Sequence, residues 1–259
     1  FLKTLAFEPV DHPPIDLGNG WAETYRRWEA EGMPADVDLY DYFDLEPYGL
    51  VNASPEARLF PKFEQKVLED AGDYVIMQSD HGARVKRLKG MEASGAEHYL
   101  EYPIKGPDDQ AWLAERMDPT NPARLDNGWD RRLQQHRDDP HRLTLLDFGS
   151  YFGDLHEMMG SERMLTAFYD MPDFIHWYND RMAAIVEHNM DAVFAAGTVD
   201  FMGGHEDMAY KGAPMISPAM FEEFMTPYYR RTVGKAREHG QTLFMVDSDG
   251  DIRKLIPSW

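Results

Sequence analysis

Apolar residues along this chain recur in two spacings. Short apolar runs occupy residues 14–17, 74–78, 143–148, 199–202 and 242–246, mostly without clean alternation, which suits strands buried on both faces. Between them the spacing becomes helical. Residues 22–31 carry Tyr25 and Trp28 on one side, and residues 61–70 carry Phe63 and Val67. Residues 154–169 follow with Leu155, Met158, Met159 and Leu165, and residues 173–196 place Phe174, Trp177, Tyr178, Met182, Ile185 and Met190 on one stripe. A last helical pattern over 218–239 stops at Gly240, a common C-terminal terminator.

Strands alternating with helices, joined by connections of more than a dozen residues, predict parallel β-α units. These close into a barrel or wind into an open sheet. The first predicted strand ends in Leu17-Gly18-Asn19-Gly20-Trp21, which lacks the third glycine of a dinucleotide fingerprint. The expectation is therefore α/β, a (β/α)8 TIM barrel truncated after its fifth strand, in a single domain over 1–259. Residues 84–88 and 98–104, joined across 90–95, predict a small hairpin at the sheet rim, and 118–140 a polar excursion with a short helix. The chain starts at Phe1 inside a helical pattern and stops as an amphipathic helix begins at Ile252, so both ends read as cut from something longer.

Composition narrows the chemistry. With 26 Lys and Arg against 46 Asp and Glu the formal charge is −20, which argues against a phosphate-backbone partner. Cysteine is absent, removing disulfides, zinc-thiolate sites and a Cys nucleophile. No apolar run approaches the roughly 20 residues of a membrane span, and the expected location is cytoplasmic.

Three groups of residues carry candidate chemistry. The motif Gly203-Gly204-His205-Glu206-Asp207-Met208 directly follows a predicted strand, at the barrel end where active sites lie. His205, Glu206 and Asp207 there suit metal binding or proton relay; the plainer alternative is that the two acids satisfy loop amides. Ala209 stands where a zinc-protease motif would need its second histidine. His156-Glu157 lies on a predicted helix, where the imidazole is structural or faces substrate. Asp247-Ser248-Asp249-Gly250-Asp251 follows the last strand, with Asp247 as the functional candidate, Asp249 as a further ligand and Asp251 as a helix cap. Basic residues Arg84, Lys86, Arg87 and Lys211, with His81 after Asp80, would meet an anionic substrate, though a solvated strand face explains the first three equally well.

The residues that carry a family resemblance are Phe7-Glu8-Pro9-Val10-Asp11-His12-Pro13-Pro14, Trp28-Glu29-Ala30-Glu31-Gly32-Met33-Pro34 and Asp147-Phe148-Gly149-Ser150-Tyr151-Phe152-Gly153. Asp170-Met171-Pro172, Glu206-Asp207-Met208-Ala209-Tyr210-Lys211, Ile216-Ser217-Pro218, Pro227-Tyr228-Tyr229 and Val246-Asp247-Ser248-Asp249-Gly250 complete the set. Together they resemble the uroporphyrinogen decarboxylase-like superfamily, which implies a (β/α)8 barrel. One branch decarboxylates uroporphyrinogen and carries an Arg-Gln-Ala-Gly-Arg-Tyr motif; Ile15-Asp16-Leu17-Gly18-Asn19-Gly20 has neither arginine. Another branch moves methyl groups between corrinoid proteins and thiols with a zinc site of His-x-Cys plus Cys, where this chain has Asp247 and Asp249.

The resemblance implies a divergent methyltransferase-like enzyme acting on a small methylated substrate or corrinoid. Its catalytic residues are expected to be Asp207, Glu206 and Asp247. Substrate would meet Lys211, Tyr210, His81, Arg84 and His156, and zinc or another divalent metal would sit on His205, Asp247 and Asp249. Expected partners are a small-molecule substrate, a corrinoid protein and a second copy of the chain, with neither nucleic acid nor membrane. Two alternatives stand beside this: a metal-independent decarboxylase of a tetrapyrrole or small acid, and a non-enzymatic corrinoid or tetrapyrrole carrier.

Overall fold

The structure, a computed structural model, describes residues 1–15, 20–45, 49–90, 97–138 and 142–259, without the side chains of 136–138. The chain divides into two compact units, one of residues 1–49 and 63–101, the other of 50–62 and 102–259.

Among the described residues, the first unit holds helices α1 (Leu2–Leu5), α2 (Ala22–Ala30) and α3 (Leu39–Tyr42), and strands β2 (Lys66–Asp70), β3 (Tyr74–Gln78), β4 (Arg84–Leu88) and β5 (Glu97–Glu101). The strands form an antiparallel sheet in the order β2-β3-β4-β5. Met77, Ala83 and Val85 make its core, with Val75 and Tyr99 against them. Two expectations change here. Residues 66–70, predicted as the end of a helix, pair with β3 instead; Phe63 and Val67 have helical spacing, but pairing supplies the backbone bonds a helix would have made. Tyr74–Gln78 is a strand as predicted, yet it lies inside this antiparallel sheet. The predicted hairpin is present as β4 and β5; most of its connection falls outside the described residues. Of the predicted strand 14–17, Pro14 and Ile15 have no regular structure and the other two lie outside the described residues.

The second unit is α/β. Strands β1 (Gly49–Asn52), β6 (Arg142–Asp147), β7 (Phe201–His205) and β10 (Phe244–Asp247) form a parallel sheet in that order, flanked by helices. Strand β1 had no apolar run to announce it. Between the strands come α4 (Gln110–Arg116), α5 (Trp129–Asp138), α6 (Gly153–Met159), α7 (Ser161–Asp170), α8 (Pro172–Ala196), α9 (Pro218–Phe224) and α10 (Thr226–Glu238), with the two-residue strands β8 (Ala209–Tyr210) and β9 (Ala213–Pro214) as a hairpin.

Helix α8 buries Phe174, Ile175, Tyr178, Met182, Ile185, Val186, Met190 and Val193, the predicted stripe, and packs on α7, α9 and α10. The predicted helix 154–169 is two helices. Gly160 between them has φ 76, and a Cβ there would stand 2.4 Å from the Tyr102 ring. The predicted helix 218–239 likewise breaks at Met225 (φ −112, ψ −48). The last residues, 252–259, make turns rather than a helix, with Leu255 buried.

A buried arginine ties the segment after β1 to the excursion before β6. Arg124 is fully buried and donates from Nε to the Asp118 carbonyl at 2.8 Å, from Nη1 to those of Glu56 and Arg58 at 3.1 and 2.7 Å, and from Nη2 to that of Arg116. Backbone carbonyls satisfy its fork, and burial lowers its pKa. Among the described residues no helix is long and apolar enough to cross a membrane.

Candidate functional site

Because the sheet is parallel, β6, β7 and β10 finish at one edge. Asp147 is in register with Gly203, and His205 with Asp247. The strand-end carboxylates and imidazole are thus brought together by register alone. Two glycines precede His205, and a Cβ on Gly204 would lie 2.4 Å from the Phe148 ring. The glycine therefore lets that ring close on the backbone just behind the site.

His205 sits between two carboxylates. Its Nδ1 is 3.2 Å from Asp247 Oδ2 and its Nε2 is 3.3 Å from Asp207 Oδ2. Partial burial lowers the imidazole pKa; the Asp207 charge, followed by the Asp247 hydrogen bond and charge, outweighs it, so the net direction is upward. Asp207 is fixed in turn, since its Oδ1 accepts the Asp249 amide at 3.0 Å. Ser248 Oγ accepts the Met208 amide at 3.4 Å, and Asp251 accepts the Arg253 amide at 3.2 Å within a turn, where the helix it was expected to cap is replaced by turns.

Glu206 points the other way, into the protein, and is fully buried. Its Oε1 accepts the Tyr151 amide at 2.7 Å and the Tyr229 hydroxyl. Its Oε2 accepts the Phe152 and Gly153 amides and the Ser150 hydroxyl, each at 2.9 Å. Burial raises its pKa while these donors lower it. A carboxylate so enclosed joins the β6–α6 loop to β7 and α10; it is the loop-amide role weighed as the plainer alternative, and it keeps the carboxylate from meeting a ligand directly.

A third cluster was not anticipated. Arg58, in the segment after β1, reaches Asp154 at 3.4 Å and Glu157 at 3.3 Å. Burial pushes the Asp154 carboxyl up to about 7, against the pull of Arg58. Asp147 is raised for the same reason, although the Gly149 amide on its Oδ1 at 2.7 Å and the Arg58 charge lower it. Asp147 could have been found by asking which acids end a predicted strand. Arg58 could not, because the strand before it was itself unseen. Asp147, Arg58, Ser54, Glu56 and Arg132 help to line an open cavity of about 510 Å³ beside β1 and β6.

The remaining predicted residues are dispersed. His156 hydrogen-bonds Ser161 Oγ at 2.7 Å, and burial lowers its pKa. Tyr210 and Lys211 are exposed at the tip of the β8–β9 hairpin. His81, 3.4 Å from Asp80, and Arg84 belong to the other compact unit. The expected metal set of His205, Asp247 and Asp249 is not gathered around one position. Both His205 nitrogens face carboxylate oxygens at contact distance, Asp249 offers Asp207 its amide, and among the described residues no three His, Asp or Glu side chains are grouped to hold an ion.

Set against known proteins, the chain matches no family model and no curated protein.

Proposed function

We propose that this chain belongs to a (β/α)8 enzyme of the uroporphyrinogen decarboxylase-like type, methyltransferase-like, with His205 as its proton donor. The barrel reading is supported by strand order. The parallel strands β1, β6, β7 and β10 lie side by side in chain order, whereas a doubly-wound sheet reverses its order at a switch point. Acids and an imidazole at the C-terminal strand ends suit the active face of a barrel.

One observation carries the chemistry: His205 held between Asp207 and Asp247. Two carboxylates keep an imidazole protonated; Nδ1 is tied to Asp247 by a hydrogen bond, while Nε2, in ion-pair contact with Asp207 at 3.3 Å, carries the proton to be given, which suits a general acid. A methyl group bound to oxygen or sulfur in a neutral substrate leaves an anion behind unless that heteroatom is protonated. In the proposed step the heteroatom–carbon bond breaks, its electron pair stays on the heteroatom, and the His205 proton joins it. The methyl group, leaving without that pair, would be taken by a co-substrate, a corrinoid in its reduced, nucleophilic state on a partner protein, which would supply the electron pair of the new bond to carbon. The surroundings favour this over decarboxylation. Asp147, Glu157, Asp207 and Asp247 outnumber Arg58 and His205, so a substrate carboxylate would enter against repulsion.

The test is turnover of methyl ethers and thioethers with a corrinoid acceptor, followed across pH in the wild type and His205→Asn. Activity is expected to fall as pH rises through a pKa above the ordinary 6.5 of histidine. His205→Asn should lose about 100-fold or more and that limb of the profile. Release of carbon dioxide from small acids, or an unchanged His205→Asn enzyme, would overturn the proposal.

A further inference from the structure

We infer that the cavity beside β1 and β6 is a binding site for an alkylammonium group, with Asp147 as its recognition carboxylate. This rests on the reading above only for the identity of the bound molecule as substrate.

Asp147 is the last residue of β6 and lines the cavity. Its backbone amide donates to Ser54 Oγ at 2.8 Å, and its Oδ1 accepts the Gly149 amide at 2.7 Å. The side chain is therefore anchored at one oxygen. The second oxygen receives no hydrogen bond from any described residue, and it is not sealed in, being absent from the buried unpartnered atoms. No cationic side chain lies within 4 Å to form an ion pair with it among the described residues. The desolvation that lifts the Asp147 pKa is the mark of a carboxylate short of a partner.

The basic residues around the cavity are committed elsewhere. Arg58 is turned to Asp154 and Glu157. Arg132 donates from Nε to the Asn52 carbonyl at 2.6 Å, from Nη1 to that of Asn127 at 2.7 Å and from Nη2 to that of Ser54 at 2.9 Å. Arg142 lines the cavity too, but from the opposite end of β6; five residue steps along the strand separate it from Asp147, roughly 16 Å. A cation entering at Asp147 thus meets an open carboxylate oxygen that no guanidinium hydrogen-bonds, although the charge of nearby Arg58 is felt there.

The ligand class follows from size and donor chemistry. The cavity, about 510 Å³, is far larger than a bare metal ion requires, and no metal-holding group accompanies Asp147 among the described residues. Among the described residues none of its lining side chains is aromatic, so a quaternary ammonium finds no ring face among them. An ammonium with at least one N–H satisfies the open oxygen by a charge-assisted bond. The −20 formal charge of the chain steers cations toward the protein. Asp147 is close enough to His205 for the imidazolium charge to act on it. A substrate held there by its ammonium end would have its methylated oxygen or sulfur within reach of the same strand ends.

Titration calorimetry with methylammonium, tetramethylammonium and acetate tests the site without requiring turnover. Unmodified protein is expected to bind methylammonium, to bind tetramethylammonium at least tenfold more weakly, and to ignore acetate. Asp147→Asn should weaken methylammonium binding at least tenfold, with Glu222→Gln, an exposed carboxylate on α9 outside the cavity, leaving it unchanged. The selectivity series needs no variant, so it decides the question even if Asp147→Asn fails to fold. Equal binding of the two cations, preference for acetate, no binding at all, or an unaffected Asp147→Asn protein would overturn the inference. Ammonium binding without methyl transfer would overturn only the catalytic reading.

Discussion

Replacing Glu206 with glutamine separates a structural carboxylate from a catalytic one. The wild-type side chain accepts three amides and two hydroxyls while fully buried. If the glutamine oxygen takes the place of Oε2, it keeps Phe152, Gly153 and Ser150 as donors. Its amide group then faces the Tyr151 N–H, donor against donor, while the Tyr229 hydroxyl can rotate to accept. One orphaned buried amide costs about 1–3 kcal/mol. Three charge-assisted bonds reduced to neutral ones cost roughly 1 kcal/mol each. Relief of a buried charge returns part of this, leaving a net loss of about 2–4 kcal/mol. Urea unfolding of wild type and Glu206→Gln, analysed with a common slope, measures it. NMR titration of His205 in both proteins tests whether the loop communicates with the site. A stability change below about 0.5 kcal/mol would refute the view that Glu206 bolts the β6–α6 loop to β7 and α10.

Two further substitutions probe the same edge. Asp154 keeps its proton in the folded state up to about pH 7, against 3.8 when unperturbed. The native state thus binds more protons between those values, and the contribution of this group to stability falls as pH rises through that window. Asp154→Asn should be more stable than wild type at pH 8 by up to about 4 kcal/mol and equal to it near pH 3; thermal unfolding at both pH values checks this, and a pH-independent difference counts against it. Gly250 has φ 80 and an added Cβ would lie 2.6 Å from the Ala209 carbonyl oxygen. Gly250→Ala should cost at least about 2 kcal/mol and shift the His205 titration by moving Asp247–Asp249, whereas a neutral substitution would show that the turn can rearrange freely.

Several readings of the chain survived folding because they depend only on local spacing. The stripe of α8 is visible in sequence since a 3.6-residue period survives whatever the helix packs against. Apolar runs locate β6, β7 and β10, and an acidic or imidazole residue at each strand end follows from adjacency alone. The same period misleads at 66–70, where Phe63 and Val67 imitate a helix face but β3 supplies the backbone partners. It also runs through Gly160 and Met225, where chain geometry divides one apolar pattern into two helices.

What tertiary structure decided is direction and company. Adjacent residues Glu206 and Asp207 are equivalent as letters, yet along the chain leaving β7 one enters the interior and the other faces His205. Local sequence cannot choose between them, because the Tyr229 hydroxyl and the Tyr151–Gly153 amides that select Glu206 come from 23 to 55 residues away. Arg58 meets Asp154 and Glu157 across still longer separations. The chain by itself determined α/β character, the strands that end in acids, and a net charge that favours cations over anions. Parallel register and burial then decided which of those acids hold the fold, which hold an imidazole, and that Asp147 keeps one oxygen without a hydrogen bond from any described residue.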